Sequence, residues 1–318
     1  MMALQPQATH TNGHDQFFLA HLQSVKAENA WYYNQRFLGR GGNGTAFLVT
    51  CSSGPNIGMQ FVLKVFHKIS DDQRRKAFLK EVEHLKKLKH PAITRIFDDG
   101  IFNASNSKEY PFAIIEYVPT TARTLMIAKQ VDRLRAIRIA LNCLSAIDCM
   151  HKSKPQLIHR DIKPENILIS ETGAKLADFG LVKILTDIQS NEDDVDPLEG
   201  TQWPGMPWRY RTPELVKRAV DNTTPVTPKS DIYQFGTVFY ELLTGYNPQL
   251  KPSAITDPIV LDFHEIKGSQ GPELLTLVKA MTDEKPSNRF PANKCLTELN
   301  QIHKAYCSSL FETTGQFV

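Results

Sequence analysis

The sequence lacks the features that mark most membrane-spanning and secreted proteins. None of its apolar runs reaches the ~18 residues of a membrane-spanning helix, and its N-terminus has no hydrophobic signal segment. It contains only five cysteines, an odd number without a Cys-x-x-Cys pair, which predicts free thiols in a reducing compartment. Internal repeats and low-complexity tracts are also absent. We therefore expect a soluble, cytoplasmic protein with no membrane span.

A large excess of charge of either sign is missing as well. Lys and Arg number 37 and Asp and Glu number 34, and the resulting net charge of +3 is too small for nucleic-acid binding by bulk charge. Hydrophobic residues make up 41% of the chain and charged residues 22%, which is typical of globular proteins. A chain of 318 residues is long enough for two compact units or one bilobal unit.

The pattern of apolar residues changes character near residue 118. Strand patterns precede this point, with one helical pattern among them, and they cover residues 38–50, 60–67, 71–89 (the helix) and 112–118. Helical patterns follow it, at residues 137–150, 232–243 and 274–281. We predict an α+β fold with a small β-rich lobe at residues 31–118, which contains one key helix, and a larger α-helical lobe at residues 119–306. Residues 1–30 are expected to form a flexible leader, and residues 307–318 a tail.

Three glycines form a G-x-G-x-x-G pattern between two predicted strands: Gly39, Gly41 and Gly44. Glycines let backbone N–H groups approach phosphate oxygens, because no Cβ stands in the way. A dinucleotide-binding loop would continue into a helix, whereas a strand pattern follows here. Taken alone, the pattern leaves a phosphate-binding loop and an ordinary hairpin turn equally open.

A lysine lies inside the apolar strand pattern of residues 61–66, where burial of its charge is unfavourable unless the charge is paired. One interpretation of this residue, Lys64, is an edge-strand lysine whose ammonium group reaches water. A partner is available, because Glu81 lies beside the apolar stripe of the predicted helix. Taken alone, Glu81 is explained by default as a solvated helix residue.

The most specific pattern follows His159 and Arg160. Asp161, Lys163 and Asn166 lie in a short polar segment between apolar stretches, and Asp178 comes 17 residues after Asp161, before Phe-Gly. An aspartate can accept or orient a hydroxyl proton, and a lysine two positions on can neutralise a transferred phosphate. The side chains of Asn166 and Asp178 supply the oxygen ligands that Mg²⁺ prefers.

In this ordered set of motifs the sequence resembles the protein kinase family, specifically its eukaryotic-type Ser/Thr branch, over residues 31–305. The resemblance implies a bilobal kinase fold, ATP with Mg²⁺ (or Mn²⁺), and protein substrates. It makes Asp161, Lys163, Lys64 and Glu81 the catalytic residues and Asn166 and Asp178 the metal ligands. Nucleotide-binding positions are implied on both sides of residue 118: Gly39, Gly41, Gly44, Ala46, Val62, Lys64, Ile115, Glu116, Val118 and Leu168. Ordinary core packing would also place Ala46, Val62 and Leu168 inside the protein.

Further matches and departures concern the second predicted lobe. The resemblance implies an ion pair between Glu214 and Arg289, and it makes Asp231 the residue that holds the backbone of the segment around Asp161. Pro207 stands where Ser/Thr kinases usually have threonine, as it does in tyrosine kinases. Residues 252–271 do not predict the helix that the family usually places there.

The function implied by the resemblance is transfer of the ATP γ-phosphate to Ser or Thr hydroxyls of proteins. Autophosphorylation is expected among Thr186, Ser190 and Thr201. A pseudokinase that binds partners and a small-molecule kinase of related fold are the alternatives. Four residues whose loss would favour a pseudokinase are all present: Lys64, Asp161, Asn166 and Asp178. We also expect a regulatory protein partner and no nucleic-acid partner.

Overall fold

The computed structural model of the protein describes residues 18–40, 44–66, 72–103, 109–178, 183–185, 209–221, 224–254 and 256–314. These residues fall into two units. The first contains the described residues up to Lys89 together with Thr94–Tyr117. The second contains His90–Ile93 and the described residues from Val118 onward.

The first unit is built on a six-stranded sheet with one helix. In chain order its elements are β1 (Ser24–Lys26), β2 (Trp31–Arg40), β3 (Gly44–Cys51), β4 (Gln60–Phe66), α1 (Asp72–Lys87), β5 (Ile96–Asn103) and β6 (Glu109–Glu116). The strands lie in the order β1-β2-β3-β4-β6-β5, and every neighbouring pair is antiparallel. The predicted strand–turn–strand pattern and the predicted helix at residues 71–89 are confirmed.

The two faces of this sheet differ in their side chains. Successive residues of a strand point to opposite faces, so alternate positions of β4 are separated. Leu63 and Val65 belong to the hydrophobic core of the unit, which also contains Phe47, Val49, Phe112 and Ile114. Val62 and Lys64 are only half-buried, and they lie on the opposite face. This face therefore remains available for contacts other than the core.

The first unit begins earlier in the chain than the sequence suggested. We predicted a flexible leader over residues 1–30, and for residues 18–30 this is wrong, since Ser24–Lys26 pairs with the start of β2. Leu19 and Val25 are buried in the same hydrophobic core. The backbone N–H groups of Asn29 and Ala30 donate to the carboxylate of Asp98, at 3.1 and 3.2 Å. A three-residue strand has too little alternation to be recognised, and its burial depends on strands that are distant in the sequence.

Strand β5 was not predicted. Its sequence contains Asp98, Asp99 and Gly100, residue types that are depleted in strands. The carboxylate of Asp98 is 1% exposed and accepts the hydrogen bonds described above, so tertiary contacts compensate for the poor strand propensity.

The second unit is mainly helical. Its elements in chain order are β7 (Thr120–Thr121), α2 (Ala122–Ile127), α3 (Arg133–Lys152), β8 (Gln156–Ile158), β9 (Ile167–Ser170), β10 (Gly173–Leu176), β11 (Lys183–Leu185), α4 (Pro213–Asp221), α5 (Pro228–Thr244), α6 (Gly271–Met281) and α7 (Ala292–Thr314). The short strands form two small antiparallel sheets, β10-β9-β7 and β11-β8. The predicted α+β fold, with strands concentrated in the first unit and helices in the second, is confirmed.

Helices α3 and α5 form the centre of the second unit. The apolar stripe predicted for α3 is buried, with Ile137, Leu144 and Met150 all at 0% exposure. Helix α5 is buried on nearly every side and ends at Gly245, whose φ of +73° lies in the left-handed region. The N–H of Gly245 donates to the carbonyl of Glu241, which closes the last turn of the helix.

Two details at the C-terminal end differ from or extend the prediction. The predicted tail at residues 307–318 is wrong for residues 307–314, because α7 continues to Thr314. Among the described residues of 252–270 there is no helix, and α6 begins only at Gly271. None of the helices in the described part of the chain combines the length and apolarity needed to cross a membrane.

Candidate functional site

In the first unit, Lys64 lies in a row of small residues. Its direct partners on the neighbouring strands are Ala46 of β3 and Ala113 of β6, and Ala46 in turn faces Gly39 of β2. The Nζ atom of Lys64 lies 5.5 Å from the centre of the Phe66 ring. Because β4 is an interior strand, the interpretation of Lys64 as an edge-strand residue is wrong. The lysine rises instead from the middle of the sheet face that lies opposite the core.

The same face carries other predicted nucleotide-binding residues. Val62 faces Ile115 of β6, and both are half-buried, as is Ala46. These three side chains and Lys64 therefore share one face. The N–H of Glu116, at the end of β6, donates to the carbonyl of Arg95 at 2.9 Å. Val118 and Leu168 belong to the second unit, and both are half-buried.

The glycine pattern has a structural reason at one position. A Cβ atom on Gly44 would lie 2.3 Å from the carbonyl oxygen of Val65 on the adjacent strand, so the sheet itself requires glycine there. Apart from its chain neighbours, none of the described residues has a heavy atom within 4 Å of the place where a Cβ of Gly39 would stand. Gly41 lies outside the described residues. Glu81 lies on α1, but its side chain is outside the described part of the structure, so its pairing with Lys64 stays a prediction.

In the second unit, Asp231 holds the segment that carries Asp161. Its two carboxylate oxygens accept the backbone N–H groups of His159 and Arg160 at 2.9 and 2.8 Å, and His151 Nε2 lies 2.8 Å from one of them. Burial alone would raise the pKa of Asp231, but the hydrogen bonds and charge of His151 and the loop hold it below its ordinary value. The role predicted for Asp231, to hold this backbone, is confirmed.

Gln234, one turn further along α5, completes this anchor. Its side-chain oxygen accepts the N–H of Ile162 at 3.0 Å, and its side-chain nitrogen donates to the carbonyl of Arg160 at 2.9 Å. Arg160 has a φ of +67°, which is rare for a residue with a side chain. The backbone on both sides of Asp161 is thus fixed by two polar side chains of one buried helix.

Asp161 is the most distinctive side chain of the segment. One carboxylate oxygen, Oδ2, accepts from Lys163 Nζ at 2.8 Å and from Asn166 Nδ2 at 2.9 Å. The other, Oδ1, is buried and has no hydrogen-bond partner among the described residues. Burial raises the pKa of Asp161 against the opposing effect of Lys163, and the nearby charge of Asp178 raises it further. Asp161 is therefore a buried carboxylate with one paired oxygen and one oxygen that has no hydrogen-bond partner among the described residues.

Asn166 and Asp178 lie close to this carboxylate. The backbone carbonyl of Asn166 accepts the N–H of Ala177 at 2.9 Å, which ties the residue preceding Asp178 to the loop. Asp178 itself has a φ of +65°. An amide oxygen and a carboxylate are the donor types that hard divalent cations bind, so the residues present fit such an ion.

A second polar cluster was not predicted from the sequence. Arg123 of α2 donates to Glu165 at 2.7 Å, to Glu241 of α5 at 2.9 Å and to the hydroxyl of Tyr210 at 2.5 Å. Tyr210 in turn donates to Glu241 at 2.5 Å. Glu165 belongs to the same loop as Asp161, so the cluster joins that loop to α5 and to the segment before α4. The only signal for it in the sequence was Glu165, between Lys163 and Asn166.

The predicted ion pair between Glu214 and Arg289 is confirmed, with both side chains almost fully buried. Several other predicted positions lie outside the described residues: Phe179, Gly180, Thr186, Ser190, Thr201 and Pro207.

The fold and these side chains together define a protein kinase domain, and a model of that domain matches residues 32–299 of the chain. The chain therefore belongs to the protein kinase family, and the resemblance seen in its motifs is confirmed. Members of this family transfer a phosphoryl group from ATP and use divalent metal ions to do so.

Similar proteins carry the same domain in longer chains. The serine/threonine-protein kinase PknB of Mycolicibacterium smegmatis is 28% identical over 71% of this chain and 36% of its own length. The serine/threonine-protein kinase PknL of Mycobacterium tuberculosis is 30% identical over 69% of this chain and 52% of its own. The calmodulin-binding receptor-like cytoplasmic kinase 2 of Arabidopsis thaliana is 31% identical over 66% of this chain and 49% of its own length. The chain thus spans between about a third and a half of these relatives.

Proposed function

We propose that the protein is an ATP-dependent Ser/Thr protein kinase. The observation that carries the proposal is the state of Asp161, a buried carboxylate with one oxygen held by Lys163 and Asn166 and the other without a partner among the described residues. A group that must accept a proton from an incoming hydroxyl needs such an available oxygen in a fixed position. The backbone anchors from Asp231 and Gln234 supply the fixed position.

In the proposed reaction the hydroxyl oxygen of the substrate forms a bond to the γ-phosphorus of ATP. The bond between that phosphorus and the β–γ bridging oxygen breaks, ADP leaves with the electron pair, and the hydroxyl proton passes to Asp161. Lys163 offsets negative charge on the transferred group, and Lys64, paired with Glu81, holds the α- and β-phosphates. The glycine loop and the apolar and backbone groups named in the sequence bind the nucleotide: Gly39, Gly41, Gly44, Ala46, Val62, Ile115, Glu116, Val118 and Leu168.

Asn166 and Asp178 are the residues we propose to hold Mg²⁺, or Mn²⁺ in its place. When bound, the ion neutralises phosphate charge. The chain itself prepares the position, because Asn166 is tied to Asp161 by its side chain and to Ala177 by its carbonyl.

The acceptor is proposed to be Ser or Thr, because Lys163 lies two residues after Asp161 and contacts it directly. A lysine there can reach the transferred phosphate when a short Ser or Thr side chain brings its hydroxyl close to Asp161. Proline at position 207 resembles tyrosine kinases and would favour a tyrosine acceptor. That position, however, shapes only the surface under the residue that follows the acceptor. The names of PknB and PknL, which are serine/threonine-protein kinases, support the same choice.

The test is incubation of the purified protein with labelled ATP, Mg²⁺ and a peptide library that contains Ser, Thr and Tyr acceptors. We expect label on Ser and Thr peptides, with autophosphorylation among Thr186, Ser190 and Thr201. Asp161→Asn and Lys64→Met should each lower transfer by about 10²-fold or more, because each removes a positioned charge. The exposed-residue variants Asp262→Asn and Lys304→Met serve as matched controls and should retain the wild-type rate.

The outcomes separate the alternatives. Absence of transfer by a folded wild-type protein that binds ATP or partners would indicate a pseudokinase. In a parallel incubation with small-molecule alcohols, label on these alcohols and none on the peptides would indicate a small-molecule kinase. Label confined to tyrosine peptides would overturn the choice of acceptor. Regulation through a protein partner and a cytoplasmic location stay predictions.

A further inference from the structure

The guanidinium group of Arg123 lies among acceptors that come from three separate segments of the second unit. It donates to Glu165, in the loop that carries Asp161, at 2.7 Å and to Glu241 of α5 at 2.9 Å. Its third contact is the hydroxyl oxygen of Tyr210, at 2.5 Å. One planar guanidinium group can bond to all of these acceptors at once, which a single ammonium group does less well. The position is therefore shaped for an arginine side chain.

Glu165 lies close to the place that the acceptor hydroxyl must take in the proposed reaction. Its neighbour in the chain, Asn166, donates to Asp161 Oδ2 at 2.9 Å. Because consecutive Cα atoms are about 3.8 Å apart, this bond keeps the Cα of Glu165 within about 10 Å of the Asp161 carboxylate. An extended substrate advances about 3.4 Å per residue, so a side chain within about three positions of the acceptor can reach Glu165. The side chains of Glu165 and Arg123 are 47% and 27% exposed, so this surface is open to a substrate.

A cavity of about 440 Å³ borders the same guanidinium group. Arg123 and Glu241 both line it, together with Lys129 and apolar side chains of α2 and α5. Glu241 is the only acidic residue among the described residues of this lining. One of its carboxylate oxygens accepts from Arg123 and the other from Tyr210, at 2.9 and 2.5 Å. A basic side chain that entered from the cavity would therefore find the carboxylate of Glu241 already occupied.

The charges at this surface balance only because Arg123 is present. Among the described residues, it is the only basic side chain that forms an ion pair with Glu165 or Glu241. Together with Lys129, which lines the same cavity, it gives the surface two positive charges against the two carboxylates. Removal of the guanidinium group would leave both carboxylates without an ion-pair partner at the edge of the cavity. A cationic side chain of the substrate would then be attracted to the vacated position.

From these contacts, and resting on the proposed kinase activity, we infer that Arg123 determines substrate specificity by taking, from within the chain, the place of a substrate arginine. Because this place is filled, the kinase does not select basic residues within about three positions of the acceptor. The charges of the surface are balanced, so the segments that fit it are Ser or Thr sites with neutral flanking residues. Arg123 takes no part in the chemical step, and its effect is on the choice of substrate.

The test measures kcat/KM of the full chain for a set of Ser peptides that have alanine at the flanking positions. In each peptide a single arginine occupies a different position, from four before the acceptor to four after it. For the wild-type protein, we expect arginine to raise kcat/KM by less than threefold at every position. The variant Arg123→Met keeps an apolar side chain but has no donors. In this variant, arginine at one or two positions should raise kcat/KM at least tenfold over the all-alanine peptide, because its guanidinium group bonds to Glu165 and Glu241.

Three controls separate this effect from a general change in activity. Citrulline has nearly the shape of arginine without its charge, so in place of the peptide arginine it should give no gain with Arg123→Met. The double substitution Arg123→Met, Glu165→Gln removes one of the two carboxylates and should lose most of the gain. Arg135→Met is the matched control, since Arg135 is an exposed arginine of the same unit that donates to the carbonyl of Gln130 at 2.8 Å. It should keep the wild-type profile.

The outcomes distinguish a failure of this inference from a failure of the proposed function. If the folded wild-type protein phosphorylates no peptide, the proposed function is wrong and the inference falls with it. If the wild-type protein is active, the inference alone is overturned by a threefold or larger wild-type preference for arginine. It is also overturned if folded Arg123→Met gains less than tenfold at every position, inactivity included. If Arg123→Met and Arg123→Gln are both unfolded at the assay temperature, Arg123 serves the fold and the inference is wrong.

Discussion

Arg289 and Glu214 lie 75 residues apart in the chain and form a two-point ion pair in the interior of the second unit. The two terminal nitrogens of the arginine donate to the two carboxylate oxygens, at 2.7 and 2.9 Å. Ser230 donates to the same carboxylate at 2.6 Å. The remaining arginine hydrogens reach backbone carbonyls, among them that of Asp283 at 2.7 Å. The pair therefore connects the start of α4, the first turn of α5 and the loop before α7.

Arg289→Lys is expected to destabilise the protein by about 3 kcal/mol or more, the usual consequence of breaking a buried ion pair. A lysine keeps the charge but cannot donate to both oxygens and to the carbonyls at once. Urea unfolding followed by circular dichroism measures the effect. Arg95→Lys is the control on an exposed arginine, and an equal midpoint for the two variants would contradict the prediction.

The Glu214 carboxylate should make stability depend on pH at the acid end. Burial acts to raise its pKa, but the hydrogen bonds and charge of Arg289 and the Ser230 hydroxyl hold the pKa below its ordinary value. A lowered pKa in the folded state contributes stability that is fully present above the unfolded value of about 4.3. This contribution is lost as the pH falls through the lower folded value.

We therefore expect the wild-type protein to exceed Glu214→Gln in unfolding free energy at pH 7, and the difference to shrink as the pH falls below about 5. Urea titrations at several pH values between neutrality and the acid range measure this difference. A difference that stays constant, or that grows on acidification, would show that Glu214 is not held ionised by its partners.

Asp231→Asn is expected to lower kcat more than it raises KM for ATP. The substitution replaces one acceptor oxygen by an amide group that points its hydrogens at a backbone N–H of the loop. Each such bond to a charged acceptor contributes about 1.5–3 kcal/mol. The loop that positions Asp161 is thereby loosened, so we expect at least a tenfold loss of kcat.

The rate of Asp231→Asn is measured well below its unfolding midpoint, beside the surface variant Asp262→Asn. A second variant, His151→Gln, keeps a donor toward Asp231 and should retain most of the activity. Unchanged kcat in Asp231→Asn would exclude this positioning role.

Phosphoryl transfer should require a divalent ion through Asn166 and Asp178. We expect no transfer in excess EDTA and full recovery when Mg²⁺ is restored. Asp178→Asn removes a charged ligand, so the Mg²⁺ concentration for half-maximal rate should rise at least tenfold. Undiminished transfer in excess EDTA would count decisively against the assignment.

Glu81→Ala should lower the rate of transfer more than it lowers stability, if Glu81 positions Lys64 against the phosphates. Glu83 on the same helix is the matched control, because it is exposed and forms a local ion pair with Lys87 at 2.6 Å. Steady-state kinetics and thermal unfolding are compared for Glu81→Ala and Glu83→Ala. A shift of several degrees with unchanged kinetics would instead indicate a structural role.

Much of the candidate site could be predicted because its residues are neighbours in the sequence. Alternation along residues 61–66 already separated Lys64 from Leu63 and Val65 on the two faces of β4. Asp161, Lys163 and Asn166 are two and five positions apart and meet at 2.8 and 2.9 Å within one loop. Helix α5 ends at Gly245 because glycine readily adopts the left-handed backbone conformation found there, which is a local property of the backbone. The motif spacing, through resemblance to a family, also predicted the ion pair of Glu214 and Arg289.

Other features depend on residues that are far apart in the chain. Arg123 and Glu241 are 118 positions apart. They meet because α2 packs against the loop that carries Glu165 and because α5 lies beside them. Asp98 is a poor strand residue that is stabilised by N–H groups about 70 positions earlier, and the same contacts make residues 18–30 part of the first unit. The amide group of Asn34 is positioned in the same way, since its nitrogen donates to two carbonyls of that segment. Local spacing and propensity determined the strands and helices that were predicted, which exclude β1 and β5, and the loop that carries Asp161, because those depend on backbone geometry over a few residues. Only the tertiary structure decided which distant polar groups are buried together, because burial depends on contacts between segments that carry no common pattern.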